Sequence, residues 1–369
     1  MTALRPYQAR GLAEALAAAA QPGARALWCA PTGAGKGTLE LALMAALRAA
    51  GRRPALTTPS GEIARGLLDR LGATRPDEEV GEAELWRRAE AAGIYSPVRL
   101  RNRLAAGRAD APDVLVVDEA HHATAGSSAV WERLVAAAGA APLLGYTATP
   151  FRGSHAETAA LRAWWGEPRV LLEIAAAAAG GWLSIPAPAQ LPLLDDADLH
   201  VARGEYDQEQ AAAGALAAAV WLRLASYATV HTTDWLAGGR WTRPTLIAVP
   251  TAGSRAACVA ALVAAGAPAA EIGGETPRVE RDRLLAVCRA GAVALVQVQV
   301  LAEGVDMPWM RRLIDVRPLR SPVAWMQLLG RITRPVGPGE AAPEYVSCCR
   351  NLQRHAYLLR GEWPARAAR

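Results

Sequence analysis

The stretch APTGAGKGT (residues 30–38) constrains this chain more than any other segment. It follows RALWCA (25–30), a short apolar run that reads as a buried strand, and it leads into TLELALMAALRAA (38–50), an apolar helix. Strand, glycine loop and helix in that order are the context a phosphate loop needs. Backbone N–H groups from Gly33 to Gly37 can wrap a triphosphate, because glycine lets the chain approach closely and take unusual torsions. The helix adds its positive N-terminal end. Lys36 is the single lysine in a chain that holds 40 Lys and Arg residues together. A compact ammonium on a thin stem fits a cradle that a planar guanidinium fork would overfill.

The residue after such a lysine is usually Ser or Thr, whose hydroxyl holds Mg²⁺. Here it is Gly37, and Thr38 follows. Thr38 lies about 100° further round the helix than the usual ligand. Three options stay open: it holds the metal directly, holds it through water, or does not touch it. G-K-G-T also occurs in nucleotide kinases of the adenylate kinase type, so the arrangement is compatible with binding and using ATP.

Further apolar runs alternate with helical stretches: Pro54–Thr58, DVLVVDEA (113–120) and PLLGYTATP (142–150). They imply a parallel sheet with helices on both faces. A first helix is expected from Tyr7 to about Ala20, stopped by Gln21-Pro22-Gly23. Residues 153–204 change character. The Pro-, Gly- and Asp-rich GGWLSIPAPAQLPLLDDAD (180–198) reads as a connection between domains. From Glu205 a long Ala-rich helical region leads into a second α/β set with strands TLIAVP (245–250), ALVQVQV (294–300), RRLIDVRP (311–318) and PEYVSCC (343–349). The expected domains are 1–152 and 205–350, with 351–369 a tail that frays after Leu359.

DEAHH (118–122) ends a strand. Asp118 can hold Mg²⁺ through water, and Glu119 can orient and deprotonate an attacking water. His121 reads as a link to other elements and His122 as a packing or surface residue. WMQLLGRITRP (325–335) looks helical, so Gln327, Arg331 and Arg334 would share one helix face. That face suits a γ-phosphate arriving from another domain, or it is an ordinary exposed basic stripe. Gln297 and Gln299 interrupt an apolar strand; they face nucleic acid, or they pair at a sheet edge.

Net charge of +5 and a pI near 9.2 tilt mildly toward an anionic partner. The five cysteines have no C-x-x-C spacing, which argues against a zinc site and for reduced thiols. The longest apolar run, near 211–222, is too short to span a bilayer, so a soluble protein in the cytoplasm is expected.

LRPYQ (4–8), APTGAGKGT, DEAHH, TAT (147–149), LAEGVDMP (301–308) and QLLGRITR (327–334) occur in the order and spacing of a superfamily 2 helicase. IGGETPRVERDRLLAVCRAGAVALVQVQVLAEGVD (272–306) strengthens the match. Over residues 4–335 the chain resembles the DEAD/DEAH-like DNA translocases of bacteria and phages, related to repair helicases and restriction motors. The resemblance implies an α/β chain of two RecA-like domains, each a mostly parallel sheet with helices on both faces, with ATP and Mg²⁺ in the cleft between them. It implies that Arg5 and Gln8 read adenine and that Gly33, Ala34, Gly35, Lys36, Gly37 and Thr38 hold phosphates. Asp118 and Glu119 would handle Mg²⁺ and water, and His121, Thr147 and Thr149 would couple hydrolysis to domain movement. Gly304 and Asp306 would face the nucleotide from the second domain, and Gln327, Arg331 and Arg334 would complete the site. Nucleic acid would be touched near Pro59, Ser60, Gly61 and Thr251.

The implied partner is DNA (single-stranded, forked or branched) before RNA, with room for a protein partner that supplies a nuclease or a loader. The alternatives are an ATP-responsive clamp that hydrolyses weakly, a motor subunit of a nuclease complex, and a nucleotide kinase. Ala302 stands where many relatives carry threonine. The chain shows no obvious wedge module after the second core, which leaves strand separation in more doubt than ATP hydrolysis.

Overall fold

The computed structural model describes residues 3–360, apart from 76–77, 79, 125–128, 153, 203–204, 218, 232–233, 299–306 and 338–339. Gly304 and Asp306, together with Gln299 and Ala302, therefore lie outside the described residues. The chain divides into two compact units, and it passes from the first to the second at Ala177–Ala178.

The first unit is built on six strands: β1 (Arg25–Cys29), β2 (Pro54–Thr57), β3 (Ile94–Tyr95), β4 (Val114–Val117), β5 (Leu143–Thr147) and β6 (Arg169–Val170). Their order is β3-β2-β4-β5-β1-β6, and every pairing is parallel. β2, β4 and β5 are buried at every position. A strand covered by helices on both faces has no solvent side, so it reads as a continuous apolar run. Helix α1 (Pro6–Ala19) is tied to β1 where the Trp28 indole donates to Glu14 Oε2 at 2.9 Å; the Trp28 ring also stacks on Tyr146. Helix α2 (Lys36–Ala49) follows the glycine loop, and α3 (Gly61–Arg70) follows β2.

Gly145 marks the tightest packing in this sheet. A Cβ there would lie 2.7 Å from the Ala120 methyl carbon and 2.8 Å from the Trp165 ring. Trp165 ends the helix His155–Trp165, and its indole N–H donates to the Ala123 carbonyl at 2.7 Å. The bare glycine thus lets one helix hold the turn after β4 down onto β5. Gly145→Ala is expected to destabilise the protein by about 1–3 kcal/mol through overpacking. Urea unfolding checks this; an unchanged midpoint would contradict it.

The second unit carries β7 (Ala187–Gln190), β8 (Thr245–Ala248), β9 (Ala269–Glu271), β10 (Ala294–Gln297), β11 (Arg312–Asp315) and β12 (Glu344–Ser347). The order is β9-β10-β8-β11-β12-β7, again all parallel. Its core joins Trp221, Leu224, Trp235 and Trp241 to the inner residues of β8, β10 and β11. Residues 153–204 contribute to both sheets, through the helix ending at Trp165, β6 and β7. β7 tolerates Pro188 because it is an edge strand. The N–H groups of Ala187 and Leu191 bond β12 and its flanks, while the nitrogen of Pro188 points away from the sheet.

Gln297 closes β10, which lies between β9 and β8, and its side chain is buried. It therefore neither sits at a sheet edge nor faces solvent, which corrects both sequence expectations for it. The Ala-rich region is two helices, Gln208–Ala217 and Val220–Ser226, separated at Ala219, whose φ of 49° breaks the helical path. Among the described residues no single helix is long and apolar enough to cross a membrane. The chain ends its described part with the helix Asn351–Leu359 and Arg360.

Candidate active site

All strands of the first sheet run the same way, so the segments after β1, β2, β4 and β5 emerge along one edge, where open α/β sheets bind ligands. The paired ends Cys29↔Thr147 and Thr57↔Val117 bring the glycine loop, the TAT segment, Pro59–Gly61 and Asp118–Glu119 to that edge.

The loop takes its shape from glycine. Gly33 and Gly35 have φ of 88° and 86°, the left-handed region that side chains disfavour, and α2 begins at Lys36 directly after. The LRPYQ segment braces it from behind. Gln8 is buried; its Nε2 donates to the Gly35 carbonyl at 3.0 Å and its Oε1 accepts from the Arg5 N–H at 2.9 Å. Tyr7 donates its hydroxyl to the Ala34 carbonyl, and Arg5 Nη1 lies 3.3 Å from the Tyr7 oxygen. Both polar ends of the Gln8 amide are thus engaged within the protein, in shaping the loop. A side chain at Gly37 would have to displace the Arg70 guanidinium, the flexible tip of a side chain at the end of α3. Lys36, Gly37 and Thr38 are half-buried.

The acidic pair sits opposite. Asp118 is buried, and its Oδ1 accepts the Glu119 N–H at 2.8 Å. Glu119 adopts φ 47° and ψ 48°, a conformation that costs a non-glycine residue about 1–3 kcal/mol and is typical of functional turns. Burial, and then the charge of Glu119, push the Asp118 carboxyl up from its ordinary range, and Lys36 only partly offsets them. For Glu119 burial acts upward as well, but Lys36 and a hydrogen bond to His121 outweigh it and hold the group low. One carboxylate of the pair is thus held ionised while its neighbour leans toward the neutral form. His121 Nδ1 lies 3.3 Å from Glu119 Oε2 and 2.9 Å from Thr147 Oγ1, and Thr147 Oγ1 accepts the Thr149 N–H at 3.0 Å. A continuous polar chain therefore runs from Glu119 through His121 to the two threonines, all but Glu119 nearly fully buried.

One acid was not singled out by the sequence reading. Glu40 lies four residues after Lys36 on α2 and is fully buried; no N–H or hydroxyl group donates to its carboxylate oxygens, and the Asp118 carboxyl lies within hydrogen-bonding reach. Its carboxyl faces Asp118. The signal was present as a lone acid inside the apolar helix TLELALM.

In the second unit the expected helix over 325–335 is corrected. The helix is Pro322–Leu329, so Gln327 lies on it, while Arg331 and Arg334 lie in the segment after it. Gly330 caps the helix, the Thr333 hydroxyl donates to the Gly330 carbonyl at 3.2 Å, and Pro335 follows, which disfavours helical backbone at the residue before it. The three side chains are half-buried but do not share a helix face. Ser60 and Thr251 occupy matching places in the two units. Each caps the helix after a strand, accepting the Ile63 N–H at 3.2 Å and the Ser254 N–H at 3.3 Å.

Residues 1–152 match the family described as the type III restriction enzyme res subunit, and residues 242–336 match the helicase conserved C-terminal domain. The two matches support a superfamily 2 helicase of the restriction-type or DEAD-like kind. Its two parallel α/β units resemble the paired RecA-like domains of helicases. No curated protein matches this chain by sequence. Among solved structures it is similar to the type ISP restriction-modification enzyme LlaBIII bound to DNA, at 16% identity and a TM-score of 0.66, over 94% of this chain and 28% of that one. It is also similar to a fragment of a putative type I HsdR subunit from Vibrio vulnificus, at 17% identity and a TM-score of 0.69, over 98% of this chain and 67% of that one. Dbp5 of S. cerevisiae bound to RNA and ADP BeF3 aligns at 15% identity and a TM-score of 0.53, over 93% and 87% of the two chains. At these identities the likeness is one of fold. The chain spans only 28% of the length of the type ISP enzyme.

Proposed function

We propose that this chain is a superfamily 2 motor that hydrolyses ATP to drive movement on DNA. The observation that carries the reading is one sheet edge where a glycine cradle with the lone lysine meets Asp118 and the chain Glu119–His121–Thr147–Thr149. The choice of DNA rests on the DNA-bound restriction relative and the HsdR fragment, whose folds match better than that of the RNA-bound neighbour.

In this reading the loop N–H groups and Lys36 hold the β and γ phosphates. Glu119, kept ionised, takes a proton from the attacking water. His121 senses that event through its contact with Glu119, and Thr147 and Thr149 pass it toward the domain boundary. Mg²⁺, when bound, supplies charge neutralisation at the phosphate oxygens. Asp118 and Glu40, buried carboxyls facing one another with Glu40 lacking any donor, fit such a cation. Thr38 stands one residue beyond the usual hydroxyl and is a candidate for an outer contact. Arg5 lies beside the cradle and in this reading meets the base. In this reading Gln327, Arg331 and Arg334 complete the site, and Gly304 and Asp306 face the nucleotide. DNA phosphates lie along Pro59, Ser60, Gly61 and Thr251, where two capped helix N-termini offer positive dipole ends. A nuclease or loading partner acts on the same DNA. A cytoplasmic place of work follows from that substrate.

Glu119→Gln is expected to lower turnover by about 10²–10⁴-fold while ATP affinity persists. Single-turnover hydrolysis on single-stranded DNA, duplex, forks and RNA, at one stated salt concentration, tests the reading. Wild-type turnover that ignores every nucleic acid would contradict it.

A further inference from the structure

We propose that Glu40 supplies the metal contact that a hydroxyl after Lys36 usually gives and that Gly37 leaves out. The inference rests on the reading of the cradle as a magnesium nucleotide site.

Gly37 and Glu40 are three residues apart on α2 and so share a face. Helical side chains lean toward the N-terminus and cover the turn before their own Cα. The long Glu40 side chain therefore reaches into the turn that begins at Gly37, where no side chain stands in its way on α2. The place a Gly37 side chain would take is held by the Arg70 guanidinium, the flexible tip of a long side chain from α3. Thr38 points about 100° away from Gly37 round the helix, so its hydroxyl does not occupy the same place.

The carboxyl itself is anomalous for a structural residue. It is fully buried, and no N–H or hydroxyl group donates to either oxygen. It interacts with the charges of Asp118, Lys36 and Glu119 and lies within hydrogen-bonding reach of Asp118. Two carboxyls that face each other with no donor to either Glu40 oxygen form a stable arrangement when a hard cation joins them. Magnesium sites commonly take one or two carboxylates and complete the shell with substrate phosphates and water. Asp118 and Glu40, with the phosphates on Lys36, meet that description.

The test uses the full chain with Mn²⁺ as the probe and ADP present, with bound Mn²⁺ followed by electron paramagnetic resonance. Glu40→Gln keeps a donor toward Asp118 but removes the charge. It is expected to weaken Mn²⁺ at least about tenfold, with ADP binding in the absence of metal unchanged and the metal-free melting temperature not lowered. Glu40→Met, an apolar side chain of similar length, should lose Mn²⁺ in the same way and guards against a misfolded amide variant. Adding Gly37→Ser to Glu40→Gln should recover part of the affinity once the flexible Arg70 swings aside. Wild-type Mn²⁺ affinity in both Glu40 variants, with Asp118→Asn deficient, overturns the proposal and leaves Glu40 as a proton-sharing neighbour of Asp118. A wild-type protein that binds ADP but no Mn²⁺ beside it overturns the magnesium reading of the cradle, and this inference with it.

Discussion

Replacing Lys36 by alanine is expected to reduce DNA-stimulated ATP turnover by about a thousandfold or more, the scale on which preorganised charge at a phosphate acts. Lys36→Arg is the sharper form of the same prediction. This chain uses arginine at every other basic position, so a need for positive charge alone would be met by arginine. The cradle is shaped instead for a narrow ammonium. Gly33 and Gly35 hold left-handed torsions, Gln8 sits against Gly35, and Arg70 already presses on Gly37. A guanidinium fork has no room to lie among those groups without displacing the phosphates. Both variants should stay folded, because Lys36 is half-buried at a helix start and not part of the core. Steady-state turnover and a thermal melt together check this. An arginine variant with wild-type turnover would show that the lysine is not chosen for its shape.

Arg331→Ala or Arg334→Ala should cost about 10³–10⁵-fold in turnover. The loss has to appear in the chemical step. Nucleotide is held by the first domain in this reading, so ADP affinity should change little. In the proposed cycle DNA brings the two domains together, so turnover without DNA should fall less than turnover with it. The helix Pro322–Leu329 ends before the chain reaches the two arginines, and a residue in a turn is aimed by its own backbone, not by helical spacing. One of the two is therefore expected to matter far more than the other. Equal and mild losses from both would mark them as the ordinary basic surface that their sequence also allowed.

The first domain was legible where physics leaves one reading. β1, β2, β4 and β5 announced themselves because strands buried on both faces are continuous apolar runs, and the glycine loop announced itself by its place between strand and helix. The acids at 118–119 were legible as the end of such a run. β7 was not, since an edge strand needs only alternate N–H groups, and Pro188 hides in the other register. Trp165 was not, because its partner is the absent side chain of Gly145, a contact with no local pattern. The end of the helix at Leu329 was missed because Gly330 and Thr333 act through capping geometry, whereas the spacing of the arginines imitates a face. Glu40 was hidden by helical filler: its isolation in an apolar helix was visible, but its proximity to Asp118 depends on which strand lies under α2. Gln297 was misjudged because strand order, not strand composition, decides what is an edge.

The most direct measurement is a crystal structure of the full chain with DNA, ADP, Mg²⁺ and aluminium fluoride. The expected result is the fluoride mimic seated on the N–H groups of Gly33–Thr38 against Lys36, Glu119 beside the water position, and Arg331 or Arg334 within hydrogen-bond distance of the mimic. Nucleotide bound away from the glycine loop, or both arginines turned to solvent in the closed form, would contradict the motor reading.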